Sequence, residues 1–395
     1  MATGIINLKI ESWDFSSDSY QGFDYVYVIG WYRNRVVGTY WLPVVNASIN
    51  LIELEDIIFT ENNFLLWNEI ALESFGIKDD PFPPLKQPVS IVVCTRNRPE
   101  HLKRCLDGFM ALKDDGQEFI VVDNAPSSNA SKEIVETYGG RVRYVRENRP
   151  GLNVARNTAI RAASHDIVIF NDDDAVPDPN WARALVKNFT NPQIMCVCGL
   201  TLPLQLMSWE QENFERFTPF QKGFDRRHFV GRIDNVGHAG RVGAGANMAF
   251  RKEVFDHVGL FDEALDAGTL TRSGGDTEMF ARILFNHFDA IYDPSAVSWH
   301  MHRSGDQELH KTMHGYGVGI FAMWTRMLLK EKNWQVFSYV KHYFLDYQLN
   351  HLRDVLNQTP NSMPLDLILA EIRGCMYGPL AYLQSSRKLR RKKVA

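Results

Sequence analysis

The feature that most constrains this chain is a regular alternation of short apolar runs and helix-like segments between residues 89 and 170. Runs rich in β-branched residues predict strands, and apolar residues at helical spacing predict the helices between them. The predicted strands are 89–94, 118–122, 141–145 and 166–170, and the predicted helices are 99–112, 131–138 and 152–164. Such alternation predicts an α/β fold with a parallel sheet and right-handed crossovers. Ligands of such sheets bind beyond the carboxyl ends of the strands.

Polar residues follow the predicted strands at that edge. Thr95, Arg96 and Arg98 come after the first strand and open a helix, so amides and guanidinium groups there could meet a phosphate or the edge of a base. Asp123 follows the second strand, and its acceptor oxygens suit an imide N–H or ribose hydroxyls. Arg156 lies on the helix after residues 150–151, from which a guanidinium could hold a diphosphate.

The fourth strand ends in three consecutive carboxylates, Asp172, Asp173 and Asp174. Adjacent carboxylates repel one another unless a cation lies among them. Hard oxygen ligands of this kind suit Mg²⁺ or Mn²⁺. The alternative is a solvated turn before Pro177, since Asp is a common turn former.

Composition excludes several classes of protein. The chain has 395 residues, 45% hydrophobic and 23% charged, with a formal net charge of −4, which gives no general attraction to nucleic acid. No apolar run reaches the roughly 18 residues of a membrane span, and the N-terminus lacks a secretory pattern. The five cysteines form no zinc-type pair. We therefore predict a reduced, cytoplasmic protein.

The chain divides into three predicted parts. Residues 1–84 form a small β-rich accessory domain, with a hairpin of Tyr25–Tyr32 and Val36–Leu42, a helix over 63–75 and a proline-rich linker at 79–84. Residues 85–304 hold the alternating strands and helices. Residues 305–395 are predicted to be helical and end in a basic run at 387–393.

Seven segments in one order resemble the family 2 glycosyltransferases. Any one of them is a weak signal, but their order and spacing agree from about residue 88 to 303. They are VSIVVCTRNRP (89–99), VVDN (121–124), GLNVARNTA (151–159), NDDD (171–174), GANMAFR (245–251), GGDTEM (274–279) and PSAVSWH (294–300).

The resemblance implies a GT-A (Rossmann-like) fold that binds a nucleotide-diphosphate sugar, with UDP, GDP or dTDP as the carrier, and inverts the anomeric carbon. By position, Thr95, Arg98 and Asp123 would hold the nucleoside, while Arg96 is either a surface or a phosphate-side residue. Asp172 would face the ribose or pyrophosphate. The implied metal ligands for Mn²⁺ or Mg²⁺ are Asp172, Asp174 and His300, with His302 pointing the same way, and Asp173 is the member of the triplet with the least defined role.

The resemblance also assigns the chemistry. Asp276 matches the general base that removes the proton of the acceptor hydroxyl, and Glu278 would support it or contact the acceptor. Many relatives have Glu before the base where this chain has Gly275. The alternatives are structural roles: Asp276 caps a helix, and His300 is a packed core residue.

The predicted function is the metal-dependent transfer of one sugar to a hydroxyl of a glycan, lipid-linked or small-molecule acceptor. The absence of apolar spans argues against a processive synthase. The alternatives are a sugar nucleotidyltransferase, for which a glycine-rich triphosphate loop after the first strand is lacking, and an inactive GT-A scaffold.

Four further features keep two interpretations each. Trp209 and Trp299 either stack on sugar rings or pack in the core. The loops 237–245 and 267–275 either close over a donor or are plain turns. The basic tail is either a solubilising segment or a contact with an anionic membrane at its inner face. The aromatic C-terminal helices either help such docking or form a packed cap or homodimer face.

Overall fold

A computed structural model describes residues 2–13, 20–60, 63–77, 82–234, 236–360 and 362–394. Within these residues the strands form two sheets, one of three strands and one of nine. The larger sheet carries the candidate site, and the smaller one lies against its side.

The N-terminal unit is a three-stranded sheet with two helices. Its strands are β1 (Thr3–Lys9), β2 (Tyr25–Tyr32) and β3 (Arg35–Pro43), and its helices are α1 (Leu51–Ile58) and α2 (Phe64–Ser74). The predicted hairpin is confirmed, because β2 and β3 pair antiparallel across a two-residue turn. The predicted helix over 63–75 is also confirmed. Residues 79–81 of the predicted linker lie outside the described residues.

The alternating region forms the parallel half of the large sheet. Its strands are β4 (Ser90–Thr95), β5 (Glu118–Asn124), β6 (Val142–Glu147) and β7 (Ile167–Asp172), in the spatial order β7-β4-β5-β6. All three pairings are parallel, as predicted. The crossover helices are α3 (Pro99–Met110), α4 (Ala130–Glu136) and α5 (Leu152–Ala162). The carboxyl ends of β4, β5 and β7 therefore meet at one edge.

The other half of the sheet is mixed. It contains β8 (Ala175–Pro177), β9 (Ile194–Pro203), β10 (Arg227–Phe229), β11 (Asn247–Arg251) and β12 (Asp289–His300). Strand β11 lies antiparallel between β7 and β9, whereas β12 runs parallel to β9. The prediction of a parallel sheet thus holds only for the first four strands, because the strand-helix alternation behind it ends at residue 170. Helices α6 (Trp181–Val186), α7 (Trp209–Phe217), α8 (Val254–Val258) and α9 (Gly275–Phe285) complete this half.

The C-terminal region is helical. It consists of α10 (Asp306–Lys330), α11 (Val336–His342), a π-helical stretch (Tyr343–Gln348), α12 (Leu349–Leu356) and α13 (Leu365–Val394). Helices α10 and α13 cross at glycines. A Cβ atom at Gly317 would lie 2.1 Å from the carbonyl oxygen of Glu371, and one at Gly374 would lie 2.1 Å from that of His314. Among the described residues, no helix is long and apolar enough to cross a bilayer.

The N-terminal unit packs directly on the large sheet through a hydrophobic cluster. Residues of β2 and β3 meet side chains of β9 and β12 and of the segment after β9; the buried members are Tyr27, Ile29, Val36, Leu200, Leu202, Leu206 and Val297. Trp31 and Trp299 extend the cluster with ring centroids 6.2 Å apart. Of its two predicted roles, Trp299 therefore has the packing role. Trp209 likewise packs in a cluster with helices α7, α10 and α13.

Candidate active site

A cavity of about 1200 Å³ opens at the carboxyl edge of the large sheet. One half is polar and is lined by the ends of β4 and β7 and the start of α9. The other half is lined mainly by aromatic side chains of α7, of the segment after it and of the C-terminal helices. This aromatic half includes Phe214, Phe217, Phe220, Tyr316, Trp324, Tyr343 and Tyr347. Both loops singled out in the sequence contribute residues to the cavity wall.

Three predicted metal ligands converge in the polar half. Asp172, Asp174 and His300 each offer an atom within 4.8 Å of the others, and we call them the metal-ligand cluster. His300 Nε2 lies 3.1 Å from Asp174 Oδ1. Burial, and then the neighbouring Asp174, raise the pKa of Asp172. Two carboxylates and one imidazole match the ligand preferences of Mn²⁺, and a cation would offset the repulsion that raises this pKa.

Asp173 has a different task from its two neighbours. Its carboxylate accepts hydrogen bonds from Thr95 Oγ1 at 2.7 Å and from an Arg98 N–H at 3.0 Å. The same Arg98 nitrogen also donates to Asp174 at 3.0 Å. Asp173 therefore holds Thr95 at the end of β4 and Arg98 at the start of α3, two residues that the family resemblance assigned to the nucleoside. Arg96 also lines the cavity, with an exposed side chain.

Asp123 ends β5 and is buried. Tyr144 O–H donates to its Oδ2 at 2.8 Å, and its Oδ1 is buried without a hydrogen-bond partner among the described residues. Burial raises the pKa of this carboxyl. Asp123 is not itself part of the cavity wall, but its neighbour Asn124 is. A buried acceptor without a hydrogen bond destabilises the folded protein unless a ligand donates to it.

Arg156 lines the cavity but is largely engaged by protein groups. Its NH1 donates to Asp266 at 2.7 Å and to Asn153 at 3.1 Å, and the side chain is buried. Burial lowers the pKa of the guanidinium, but the neighbouring carboxylates of Asp266, Asp172 and Asp276 together outweigh it and raise this pKa. Asp266 escaped the sequence analysis, because its only signal was its place just before a glycine-rich loop.

Asp276 lies in the first turn of α9 and faces the cavity. The Gly245 N–H donates to Asp276 Oδ2 at 2.7 Å. A Cβ atom at position 245 would lie 2.8 Å from that oxygen and 2.7 Å from Arg156, so only glycine fits here without movement. The backbone of 245 thus orients the carboxylate while leaving it open to the cavity. Lys222, which the sequence analysis also missed, lines the same wall, and burial lowers its pKa.

The structure explains why glycine, and not a residue with a side chain, precedes Asp276. A Cβ atom at Gly275 would lie 2.4 Å from Asp266 Oδ2 and 2.5 Å from Asn153 Nδ2. The carboxylate of Asp266 thus occupies the space into which a side chain at 275 would project. An acidic group is therefore present beside Asp276, although it comes from another part of the chain.

Glu278 lies on the opposite side of α9, away from the cavity. Its side chain is fully buried and accepts from Arg282 at 2.8 and 2.6 Å. Arg326 NH1 approaches it at 2.7 Å. This placement differs from the predicted contact with the acceptor, because both oxygens are already committed to two guanidinium groups. The spacing of Glu278 and Arg282, four residues apart on a helix, was a sequence signal for this pair.

His302 contacts the metal-ligand cluster through His300 but contributes no ligand atom to it. Its Nδ1 lies 3.2 Å from His300 Nδ1, and its Nε2 lies 3.0 Å from Glu215 Oε2. Its burial is nearly complete, with 1% of the side chain exposed. Both histidines line the cavity, but only His300 has an atom in the cluster.

Comparison with known proteins indicates the class of protein to which this chain is similar. Residues 90–259 match the model described as glycosyl transferase family 2. The fold is of the GT-A type, as the sequence predicted. The structure resembles a mannosyltransferase, PcManGT from Pyrobaculum calidifontis, solved with GDP-Man and Mn²⁺. The TM-score is 0.50 and the identity 18%, over 85% of this chain and 96% of that chain.

The match to the family model confirms the resemblance of residues 90–259 to glycosyl transferase family 2. The chain is 26% identical over 180 residues to a glucosyl-dolichyl phosphate glucuronosyltransferase of Haloferax volcanii, a match that covers 44% of this chain and 56% of the relative. It is 25% identical over 226 residues to a pre-mycofactocin glycosyltransferase of Mycobacterium tuberculosis, covering 57% of this chain and 45% of the relative. The chain thus spans about half the length of these curated relatives.

Proposed function

We propose that this protein is a metal-dependent, inverting glycosyltransferase that moves one sugar from a nucleotide-diphosphate sugar to an acceptor hydroxyl. The observation that carries the proposal is the convergence of the metal-ligand cluster and the cavity-facing Asp276 on one cavity. The comparisons support the class of reaction.

The metal-ligand cluster is the proposed site of Mn²⁺ or Mg²⁺. Its donor set suits these ions, and a fold neighbour was solved with GDP-Man and Mn²⁺. When bound, such a cation would neutralise charge on the departing diphosphate. Arg98 neutralises part of the carboxylate charge beside this site through its bonds to Asp173 and Asp174.

The nucleotide would lie along the ends of β4 and β5. The unpaired Oδ1 of Asp123 is the acceptor available for a base N–H or ribose hydroxyl. Arg156 would offer its remaining N–H groups to the diphosphate, since one guanidinium nitrogen makes its contacts with Asp266 and Asn153. Arg96 would contribute charge from the cavity rim.

Asp276 is the proposed general base. Its carboxylate faces the cavity, and the Gly245 N–H fixes its direction. A positioned carboxylate that takes the proton of the attacking hydroxyl contributes about 10²–10⁴-fold. The acceptor would bind in the aromatic half, where flat apolar side chains can pack against a sugar ring or an apolar chain. Glu278 takes no part in the proposed mechanism, because its carboxylate is already paired with Arg282 and Arg326.

Thermal denaturation with ligands tests the class of reaction. We expect the melting temperature to rise with Mn²⁺ plus one of UDP, GDP or dTDP, since a ligand that binds only the native state stabilises it. Asp174→Asn should abolish the metal-dependent part of the rise. Asp107→Asn, at an exposed carboxylate of α3, is the matched control and should keep it.

The same measurement, together with a screen for donor hydrolysis, separates the transferase from the two alternative functions. A nucleotidyltransferase would be stabilised by a nucleoside triphosphate in preference to the diphosphate. An inactive scaffold would bind a nucleotide sugar but hydrolyse none in a screen of donors with Mn²⁺. If no nucleoside diphosphate changes the melting temperature, the transferase proposal is wrong.

We also propose that the protein contacts an anionic membrane surface, as one interpretation of the basic tail predicted. The supporting feature is an exposed apolar stripe along α13. At about 100° per residue its members fall within a sector about 60° wide; they are Leu365, Leu369, Met376, Leu380 and Leu383, and we call them the α13 stripe. Arg387 continues the stripe, and three further exposed basic residues, Lys388, Arg390 and Arg391, follow it.

An apolar stripe that runs into basic residues is typical of a helix lying in a membrane interface. Each Lys or Arg near an anionic surface contributes about 1 kcal/mol. We expect flotation with vesicles that contain phosphatidylglycerol and weak flotation with pure phosphatidylcholine. Leu369→Glu with Leu380→Glu should reduce flotation, whereas Glu136→Gln on exposed α4 should not. A loss of dimers in light scattering, with flotation unchanged, would instead assign the stripe to the predicted homodimer.

A further inference from the structure

A chain of polar contacts connects the N-terminal sheet to the metal-ligand cluster. Asp174 Oδ1 lies 3.1 Å from His300 Nε2, and His300 Nδ1 lies 3.2 Å from His302 Nδ1. His302 Nε2 lies 3.0 Å from Glu215 Oε2, and Tyr27 O–H donates to Glu215 Oε1 at 2.9 Å. Tyr27 belongs to β2 of the N-terminal unit, so these contacts connect two regions whose link no sequence motif indicated.

The contacts lie in the interior. The side chains of His302 and Glu215 are 1% and 2% exposed. Aromatic rings cover both imidazoles: the Phe214 ring centroid lies 4.6 Å from that of His302, and the Phe220 centroid lies 4.8 Å from that of His300. With water held back in this way, the protein groups themselves decide which ring nitrogens carry protons.

The proton positions follow from Glu215. A carboxylate can only accept, so the nitrogen of His302 that faces it, Nε2, carries a proton. The Nδ1 atoms of His300 and His302 lie 3.2 Å apart and cannot both carry a proton, so one of them donates to the other. A cation at the metal-ligand cluster would take the Nε2 lone pair of His300 in place of the proton directed at Asp174. The ring proton of His300 is then on Nδ1, from which it donates to His302 Nδ1.

We propose that Tyr27, Glu215 and His302 are positioning residues through which the N-terminal unit holds His300 in its metal-binding tautomer and orientation. This inference rests on the metal site of the proposed function. Groups that hydrogen-bond to the outer nitrogen of a ligating histidine fix its ring and raise its basicity, and their loss typically lowers metal affinity about 10- to 100-fold.

The proposal gives residues 1–84 a role that no sequence motif indicated. The unit is held against the large sheet by the hydrophobic cluster around Tyr27 and by a second polar contact, in which Thr3 O–H donates to Glu212 at 2.6 Å. Glu212 lies on the same helix as Glu215 but outside the chain of contacts to His300. It therefore offers a control for the general effect of changing a buried glutamate at this interface.

The test is the affinity of the purified protein for Mn²⁺ alone, measured from the free-ion signal in electron paramagnetic resonance. We expect Glu215→Gln to bind Mn²⁺ about 10- to 100-fold more weakly. Tyr27→Phe should weaken binding in the same direction by a smaller factor, because it removes only the outermost donor. Glu212→Gln should match the wild type.

The outcomes separate this inference from the proposed function. If the wild type binds Mn²⁺ and Glu215→Gln binds it equally, the positioning role is wrong while the metal site stands. If the wild type binds no Mn²⁺, both fail. Should Glu215→Gln not fold, Tyr27→Phe and Glu212→Gln decide: equal affinities of these two variants would overturn the proposal, and a loss confined to Tyr27→Phe would support it.

Discussion

Two carboxylates in the first turn of α9 meet opposite surroundings. Asp276 faces the cavity, is oriented by one backbone N–H of Gly245 and keeps access to a ligand. Glu278, two residues later, is fully buried and is held by the guanidinium groups of Arg282 and Arg326. The difference shows that one helix turn supplies both a group for chemistry and an anchor for the fold. Proximity in the sequence therefore does not imply a shared role.

The sharpest test of this comparison is Asp276→Asn. Asparagine keeps an oxygen that can accept from Gly245 N–H but cannot take a proton, so we expect transfer to fall about 10²–10⁴-fold. The melting temperature should change little. Initial rates with a nucleotide sugar and acceptor measure the effect, and Asp256→Asn on the exposed side of α8 is the control. Full transfer by Asp276→Asn would rule out the assignment as base.

The opposite result is expected for Glu278→Gln. The change leaves two buried guanidinium groups without their shared carboxylate, and breaking a buried pair in this way typically costs about 3–5 kcal/mol of unfolding free energy. Urea denaturation measures this loss, with Glu100→Gln on the exposed face of α3 as control. Transfer per folded molecule should stay within about twofold of the wild type, in contrast to the ~10²-fold or larger fall for Asp276→Asn. A Glu278→Gln protein that is stable but transfers much less sugar would show instead that Glu278 has a role in the reaction.

A smaller effect is expected from Gly275→Ala, between the two carboxylates. The new Cβ atom would lie 2.4 Å from Asp266 Oδ2 and must displace it from Arg156. Overpacking of this kind typically costs about 1–3 kcal/mol. Gly240→Ala is the control, since its nearest neighbour beyond the adjacent residues would be Thr277 Cγ2 at 4.0 Å. Equal stability of both variants would show that Asp266 moves aside freely.

The smallest effect is expected at Lys103 and Asp107, which repeat the four-residue spacing of Glu278 and Arg282 on the surface of α3. Their contact is 2.7 Å, but their side chains are 56% and 53% exposed. A double-mutant cycle should give a coupling of about 0.3–0.5 kcal/mol, as for exposed helix pairs. A coupling as large as the buried pair shows would mean that burial is not what separates the two.

The sequence predicted best those site residues that follow parallel strands. Thr95, Asp172 and Asp174 are brought together by sheet geometry alone, because neighbouring parallel strands end at one edge. His300 could be assigned only through the family resemblance, since its strand joins the sheet far from β7 in sequence.

Contacts between residues far apart in the sequence could not be predicted. Asp266 reaches Arg156 across 110 residues, and Glu215 reaches Tyr27 across 188. No periodicity encodes such pairs, because each depends on how separate loops and helices pack. Glu278 is the reverse case: its four-residue spacing to Arg282 is typical of a helix pair, whereas the family resemblance assigned it to the support of Asp276 or to the acceptor.

The crossing of α10 and α13 has a mechanical consequence. Gly317 and Gly374 bring the two backbones together without an intervening layer of side chains, and backbone does not yield as a side chain does. Tyr316 and Ile320, beside this crossing on α10, form part of the cavity wall. A displacement of α13 would therefore displace α10 with it, rather than be absorbed by side chains between them. If α13 docks on a surface as proposed, that contact would bear on the position of these two residues and so on the width of the cavity.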